Sequence, residues 1–195
     1  MKSHLQRPWA LGILGALWVV SIFFGTWMMV AEEYKPVAEL GYATNFPAGT
    51  SVPLAGDKCT LVLFAHPQCP CTRATLHEIP PILDAVHGNV KLVIVFALPP
   101  GVPEGWEQGD LYRLSQSLPA QIILDHNGAE VHRFRAVGSG TALLYSAQGR
   151  LLFGGGITPS RGQEGDSIGR EAITDFIEHG TASINQAPVF GCTLL

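Results

Sequence analysis

Apolar residues fall into two regimes along this chain. From Trp9 to Ala31 no residue is charged, and the run WALGILGALWVVSIFFGTWMMVA is 23 residues long. A helix needs roughly 20 apolar residues to cross a bilayer, so this stretch predicts a membrane span. Beyond it, apolar residues come in short bursts separated by Gly, Pro and polar turns, the pattern of a folded domain. Thr60 to Ala65 reads as a short, fully apolar strand of the kind buried in a mixed or parallel sheet. Thr72 to Val86 places Leu76, Ile79, Leu83 and Val86 at helical spacing, and Pro80-Pro81 inside it predicts a kink or an early stop. Val90 to Leu98 (VKLVIVFAL) is a second apolar strand, so strand, helix and strand form a right-handed βαβ unit.

The second half carries weaker signals. Pro99 to Gly105 is a loop, and Trp106 to Leu118 predicts a helix with Trp106, Leu111, Leu114 and Leu118 on one side. Gln121 to Leu124 is a short strand ending in the turn Asp125-His126-Asn127-Gly128. Thr141 to Tyr145 and Arg150 to Phe153 form a β-hairpin around Ala147-Gln148-Gly149. Gly154-Gly155-Gly156 must bend sharply or admit another backbone at close range. Ser167 or Asp166 caps a last helix, Ile168 to His179. The tail Ala187 to Cys192 is apolar for a terminus and is expected to dock. The order βαβ, helix, β-hairpin, helix is that of a thioredoxin-like fold: α/β, a central mixed sheet flanked by helices, here behind one N-terminal transmembrane helix. The expected organisation is an N-terminus at 1–8, an anchor at 9–31, a Pro/Gly-rich tether at 32–55 and a thioredoxin-like domain at 56–195.

Charge fixes orientation more than function. The formal net charge is −4 with Lys and Arg scattered singly, so no basic stripe invites nucleic acid. Lys2 and Arg7 precede the apolar run and Glu32 and Glu33 follow it. Positive charge before a span keeps the N-terminus in the cytoplasm. Trp9 and Trp27 sit near its ends, where interfacial aromatics belong. A cleaved signal peptide is the alternative, but its apolar region is normally about 7–15 residues, and Met29 is not the small residue a cut after Ala31 requires. The expectation is a single-pass protein of the bacterial inner membrane, with its domain in the periplasm or another extracytoplasmic space. Disulfides persist there.

The candidate chemistry lies in Phe64-Ala65-His66-Pro67-Gln68-Cys69-Pro70-Cys71. A strand that hands cysteines to the first turn of a helix places sulfur among unpaired N–H groups, which favour thiolate. A bridge between Cys69 and Cys71 closes almost no loop and is a poor structural staple. Cys69 and Cys71 are therefore the expected catalytic pair, Cys69 as the exposed attacking thiolate and Cys71 as the resolving thiol, joined by a reversible and strained disulfide. His66 either poises the thiolate, binds metal or is a plain loop histidine. Cys192 is a third exchanging thiol, a third metal ligand or a small buried residue in the docked tail. Cys59 is read as packing. Arg161, Glu164 and Asp166 either bind a partner or hold the loop by ion pairs, the second being favoured, and His77 is read as a solvated or packed helix residue.

Three pieces carry a family resemblance: His66-Pro67-Gln68-Cys69-Pro70-Cys71-Thr72-Arg73, then Leu151-Leu152-Phe153-Gly154-Gly155-Gly156-Ile157-Thr158 running on to Arg161-Gly162-Gln163-Glu164-Gly165-Asp166, then Val189-Phe190-Gly191-Cys192. The chain resembles membrane-tethered, extracytoplasmic thioredoxin-like proteins of bacteria, in particular the RedB group. Two departures from ordinary thioredoxins stand out. Their two active-site cysteines are separated by two residues, and here Gln68-Cys69-Pro70-Cys71 moves the first one residue later. Their cis-proline before the hairpin is replaced by Ser139-Gly140-Thr141, which puts the usual mode of partner docking in doubt. The resemblance implies the fold; the cysteine chemistry points to a membrane-anchored extracytoplasmic thiol–disulfide oxidoreductase acting on a protein thiol or disulfide substrate, with no organic cofactor. The alternative is a copper-binding thioredoxin-like chaperone or metal-site assembly factor, holding Cu(I) at His66, Cys69, Cys71 and Cys192, because soft thiolates select Cu(I).

Overall fold

The computed structural model describes residues 8–37 and 41–195. Residues 1–7, in the expected cytoplasmic N-terminus, and 38–40, in the expected tether, lie outside the described residues. The chain divides into two units, 1–35 and 36–195. The first contains helix α1, Pro8–Glu33. Its apolar window, Trp9–Glu33, has a mean hydropathy of 2.0 and is wholly unburied. By length and composition α1 fits a membrane tether.

The second unit is a six-stranded mixed sheet. Its strands are β1 (Cys59–Ala65), β2 (Val90–Leu98), β3 (Ala120–His126), β4 (Thr141–Tyr145), β5 (Leu151–Gly155) and β6 (Gln186–Ala187), in the order β3-β2-β1-β4-β5-β6. Strands β1, β2 and β3 are parallel, β4 runs antiparallel to both β1 and β5, and β6 adds parallel to β5. Helices α2 (Pro70–His77), α3 (Ile79–Ala85), α4 (Asp110–Gln116), α5 (Ala129–Phe134) and α6 (Ile168–His179) flank it. This is the thioredoxin-like architecture that the order of elements predicts.

Strand β1 explains why both faces need covering. Leu61, Val62, Leu63 and Phe64 are all fully buried, so successive side chains enter two different cores. Burying each contributes about 1.5–3 kcal/mol. Leu61 and Leu63 join Leu76, Ile79 and Ile82 of α2 and α3 and Ala172 and Ile173 of α6. Val62 and Phe64 instead meet Val131 and Phe134 of α5, Tyr42 and Val52 from the segment before β1, and Leu194 of the tail. The expected tether thus contains core residues. Its backbone is pinned as well: Asn45 bridges Arg150, and Phe46 N donates to Gly149 O at 2.7 Å.

Three local outcomes refine the sequence reading. The predicted helix over 72–86 breaks at Glu78, which ends α2 and caps α3. Pro80 and Pro81 then fall in the first turn of α3, where their missing N–H groups cost nothing. The predicted helix over 106–118 is ordered as α4 only from Asp110 to Gln116. Helix α5 is an addition. It follows Gly128 in the left-handed region (φ 71°), and the Asp125 carboxylate accepts Glu130 N and Val131 N at 2.9–3.0 Å. The last helix forms as expected, with Ser167 Oγ accepting Arg170 N at 3.2 Å. The glycine run also behaves as expected: a Cβ at Gly155 would lie 2.2 Å from Ala187 O. Only glycine lets β6 and the tail approach so closely.

Candidate active site

Strand β1 ends at Ala65 and the chain turns through His66-Pro67-Gln68, with Cys69 N donating to His66 O at 3.2 Å. Cys69 is the N-cap of α2 in extended conformation (φ −89°, ψ 123°), and Pro70 is the first helical residue. Proline suits that place because its φ is already helical and its absent N–H would have had no partner. Ser139, just before β4, clamps the turn. Its Oγ accepts His66 N at 3.0 Å and lies 2.7 Å from Thr72 Oγ1, which itself donates to His66 O at 3.0 Å. Thr75 Oγ1 donates to Cys71 O at 3.1 Å. The cysteines therefore sit on a braced strand-to-helix corner.

The C-terminal tail completes the site. Ser139 N donates to Cys192 O at 2.8 Å, and Leu194 N donates to Val137 O at 2.9 Å, around an antiparallel bridge between Gly138 and Thr193. Arg161 Nη1 donates to Gly191 O at 2.7 Å. Gly191 is pressed so tightly on this segment that a Cβ would meet Ser139 O at 1.9 Å. Cys192 Sγ consequently lies 3.0 Å from Cys69 Sγ. The sulfurs of Cys69, Cys71 and Cys192 all fall within 4.8 Å of one another. All four cysteines are free thiols.

The three sulfurs are electrostatically unequal. Cys69 is pulled down to about 4 from the usual 9.0: the Cys71 thiol donates to it, burial opposes this, and the Cys192 thiol and both backbone N–H groups add further donors. Cys71 is pushed well up, because its proton is held by the Cys69 thiolate and because it is buried. Cys192 is pushed up by burial and by donating to Cys69, while the Arg161 charge works against the rise. The site thus holds one thiolate between two thiols. That is the state required for nucleophilic attack on sulfur.

Two expectations change in the structure. Cys69 was expected as an exposed thiolate, but it is buried, with 2% of its surface accessible, under the docked tail; the exposed member is Cys192. His66 lies outside the three-sulfur group. Its Nδ1 accepts Gln68 N at 3.2 Å, its ring meets Trp106 edge-on at 5.5 Å, and burial lowers its pKa against the raising effect of Cys69. Arg161 also holds the tail, through its hydrogen bond to Gly191 O. Glu164 and Asp166 are paired: His77 Nδ1 lies 2.6 Å from Glu164 Oε1, and Arg170 links Glu78 and Asp166. Cys59 begins β1 and packs against the core, and burial raises its pKa. Ser139, Thr72 and Gly191 were not read as site residues. The sequence signals that pointed toward them were the place of Ser139 before the hairpin and the pieces that hold Thr72 beside Cys71 and Gly191 before Cys192.

No protein-family model and no curated protein matches this sequence. Solved structures do match. An uncharacterized conserved protein from Geobacillus kaustophilus superposes with a TM-score of 0.60 at 17% identity, covering 83% of this chain and 92% of its own. A hypothetical protein from Sinorhizobium meliloti 1021 gives 0.57 at 16% identity, covering 82% and 93%. StoA from Bacillus subtilis gives 0.47 at 19% identity, covering 73% and 100%. At these identities the likeness is one of fold. The element order and sheet topology are those of the thioredoxin-like fold.

Proposed function

We propose that this chain is a thiol–disulfide oxidoreductase that acts on protein cysteines. The observation that carries this reading is the thiolate-favouring environment of Cys69, at the N-terminus of α2 with two further thiols within 4.8 Å. In thiol–disulfide exchange a thiolate attacks a disulfide sulfur, a mixed disulfide forms, and a second thiol resolves it; Cys69 is one sulfur of the pair that the site alternately joins and frees. Because the environment stabilises the reduced form, the oxidised site is expected to be a strong oxidant. Cys69 and Cys71 are the pair that the sequence assigns to this chemistry. The resemblance to the RedB group, which rests on the three sequence pieces, supports an extracytoplasmic setting. Helix α1 supports anchoring in the bacterial inner membrane, with the domain across it. The test uses the oxidised full chain in detergent with a reduced peptide dithiol. Stoichiometric oxidation of the peptide, lost in Cys69→Ser, supports the reading; equal oxidation by Cys69→Ser overturns it.

A second reading has its own observation. Three sulfurs within 4.8 Å suit a soft cation, and Cys69, Cys71 and Cys192 would hold Cu(I) without His66. Competition between the reduced full chain and a Cu(I) chelator separates the two readings. Tight one-to-one copper binding lost in each of the three cysteine variants supports copper handling, and its absence leaves exchange alone.

A further inference from the structure

We propose that the working disulfide of this site joins Cys69 to Cys192, and that Cys192 is the sulfur a partner's thiolate attacks. The proposal rests on the exchange function above and assigns its second cysteine.

Accessibility is the first argument. Attack on a disulfide is in line with the S–S bond, so the sulfur attacked must face solvent. Cys69 and Cys71 expose 2% and 3% of their surface. A bond between those two would present no open sulfur to a folded partner. Cys192 is exposed and lies in contact with Cys69 at 3.0 Å, so a bond needs only about 1 Å of further approach to reach a normal length of about 2.0 Å.

The second argument is how the tail is held. Residues 192–194 lie as a short antiparallel strand on residues 137–139, through Ser139 N to Cys192 O and Leu194 N to Val137 O. That is the geometry of an extended peptide added to an exposed backbone edge. The tail thus occupies the backbone edge beside the nucleophile and brings its own cysteine. Being part of the chain, Cys192 meets Cys69 at an effective concentration no free thiol matches. Ser139, Arg161 and Gly191 each fix this placement, so the contact is built into the fold.

The exchange balances as follows. A partner dithiolate attacks Sγ of Cys192 through its first sulfur, the Cys69–Cys192 bond breaks, and Cys69 leaves with the electron pair as a thiolate. The partner's second sulfur attacks the first, forming the partner's disulfide and releasing Cys192, which takes up a proton. The partner loses two electrons and the Cys69–Cys192 pair gains them. Regeneration is the same exchange run backwards with a disulfide donor. In this scheme Cys71 stays reduced and donates its S–H to the departing Cys69 thiolate, for which it is already placed.

Trypsin provides a clean test, because cleavage after Lys58, Arg73 and Arg170 leaves Cys59, Cys69 and Cys71 in peptide 59–73 and Cys192 in peptide 171–195. The full chain in detergent is equilibrated with graded mixtures of oxidised and reduced glutathione, acid-quenched, alkylated, digested and weighed. Expected is a cross-link of the two peptides through Cys69, retained in Cys71→Ser and lost in Cys192→Ser. A bridge internal to peptide 59–73, with peptide 171–195 alkylated, overturns the assignment and leaves the exchange function standing. A cross-link through Cys59, located by fragmentation, also overturns the assignment. No bridge at any ratio overturns both the assignment and the function it rests on.

Discussion

Gly191→Ala tests how the tail governs the thiolate. Gly191 does not need glycine's backbone freedom, since its φ is not in the left-handed region, so the substitution acts through volume alone. The new Cβ would start 1.9 Å from Ser139 O, and real Cβ contacts do not fall below 3.0 Å, so about 1.1 Å of separation must be found. Ser139 cannot supply it, because its Oγ is held by His66 and Thr72. The tail must give way. Overpacking of this kind costs about 1–3 kcal/mol. The tail's hydrogen bonds to Ser139, Val137 and Arg161 contribute about 1 kcal/mol each, and Val189 O, which accepts Val37 N at 2.8 Å, and the buried Val189 and Leu194 side chains hold it further. Because Val189 and Leu194 stay buried, the tail shifts locally at residues 191–192 rather than detaching, and the loss is about 1–3 kcal/mol. For a domain of this size that lowers Tm by about 2–12 °C. Moving Cys192 away also removes its S–H donor from Cys69, so the Cys69 pKa rises from about 4 but stays below 9.0, because Cys71 still donates. The assay is thiolate absorbance against pH on the reduced full chain, paired with thermal unfolding. An unchanged Cys69 titration together with an unchanged Tm would refute the role given to the tail.

Other substitutions probe other links. Cys71→Ala is expected to raise the Cys69 pKa more than Cys192→Ala does, since the Cys71 thiol is its largest stabilising donor; iodoacetamide rates against pH measure both. Stability should also carry the Cys69 signature. Its folded-state pKa lies below its unfolded value, so its contribution is complete above about pH 9 and is lost as pH falls through about 4. The Tm difference between wild type and Cys69→Ser should therefore grow in favour of wild type from pH 5 to 8, and a flat difference contradicts the assigned thiolate. Far from the sulfurs, Glu78 is buried and takes Arg170 and Gly165 N as partners. Glu78→Gln is expected to cost about 3 kcal/mol in denaturant unfolding and to leave the Cys69 titration unchanged.

The sequence disclosed those parts of the fold that local pattern controls. The apolar runs of β1 and β2, the serine cap of α6 and the close approach at Gly155 were all legible, because each is decided by neighbouring residues. Helix α5 was not, since its six residues are too few for periodicity, and its cap is Asp125, lying on the far side of a left-handed glycine. The role of residues 42–52 was hidden by their Pro, Gly and Thr content. Only the structure shows that Val62 and Phe64 need a second cover, which Tyr42, Val52 and α5 provide. In the site, the strand-to-helix placement of Cys69 and Cys71 was legible from spacing. The sequence offered a docked tail and Cys192 as a third thiol; that Cys192 returns across 123 positions to lie 3.0 Å from Cys69 depends on tertiary pairing with residues 137–139.

The most direct test of the central claim is the redox titration of Cys69 itself. The reduced full chain is poised in glutathione buffers, and the fraction of Cys69 protected from alkylation is measured at each potential. A single two-electron transition is predicted, with the ratio changing tenfold per about 30 mV and the midpoint less negative than about −270 mV, the value for thioredoxin. The low Cys69 pKa stabilises the reduced form and sets that direction. A Cys69 that remains alkylatable at every potential contradicts the account.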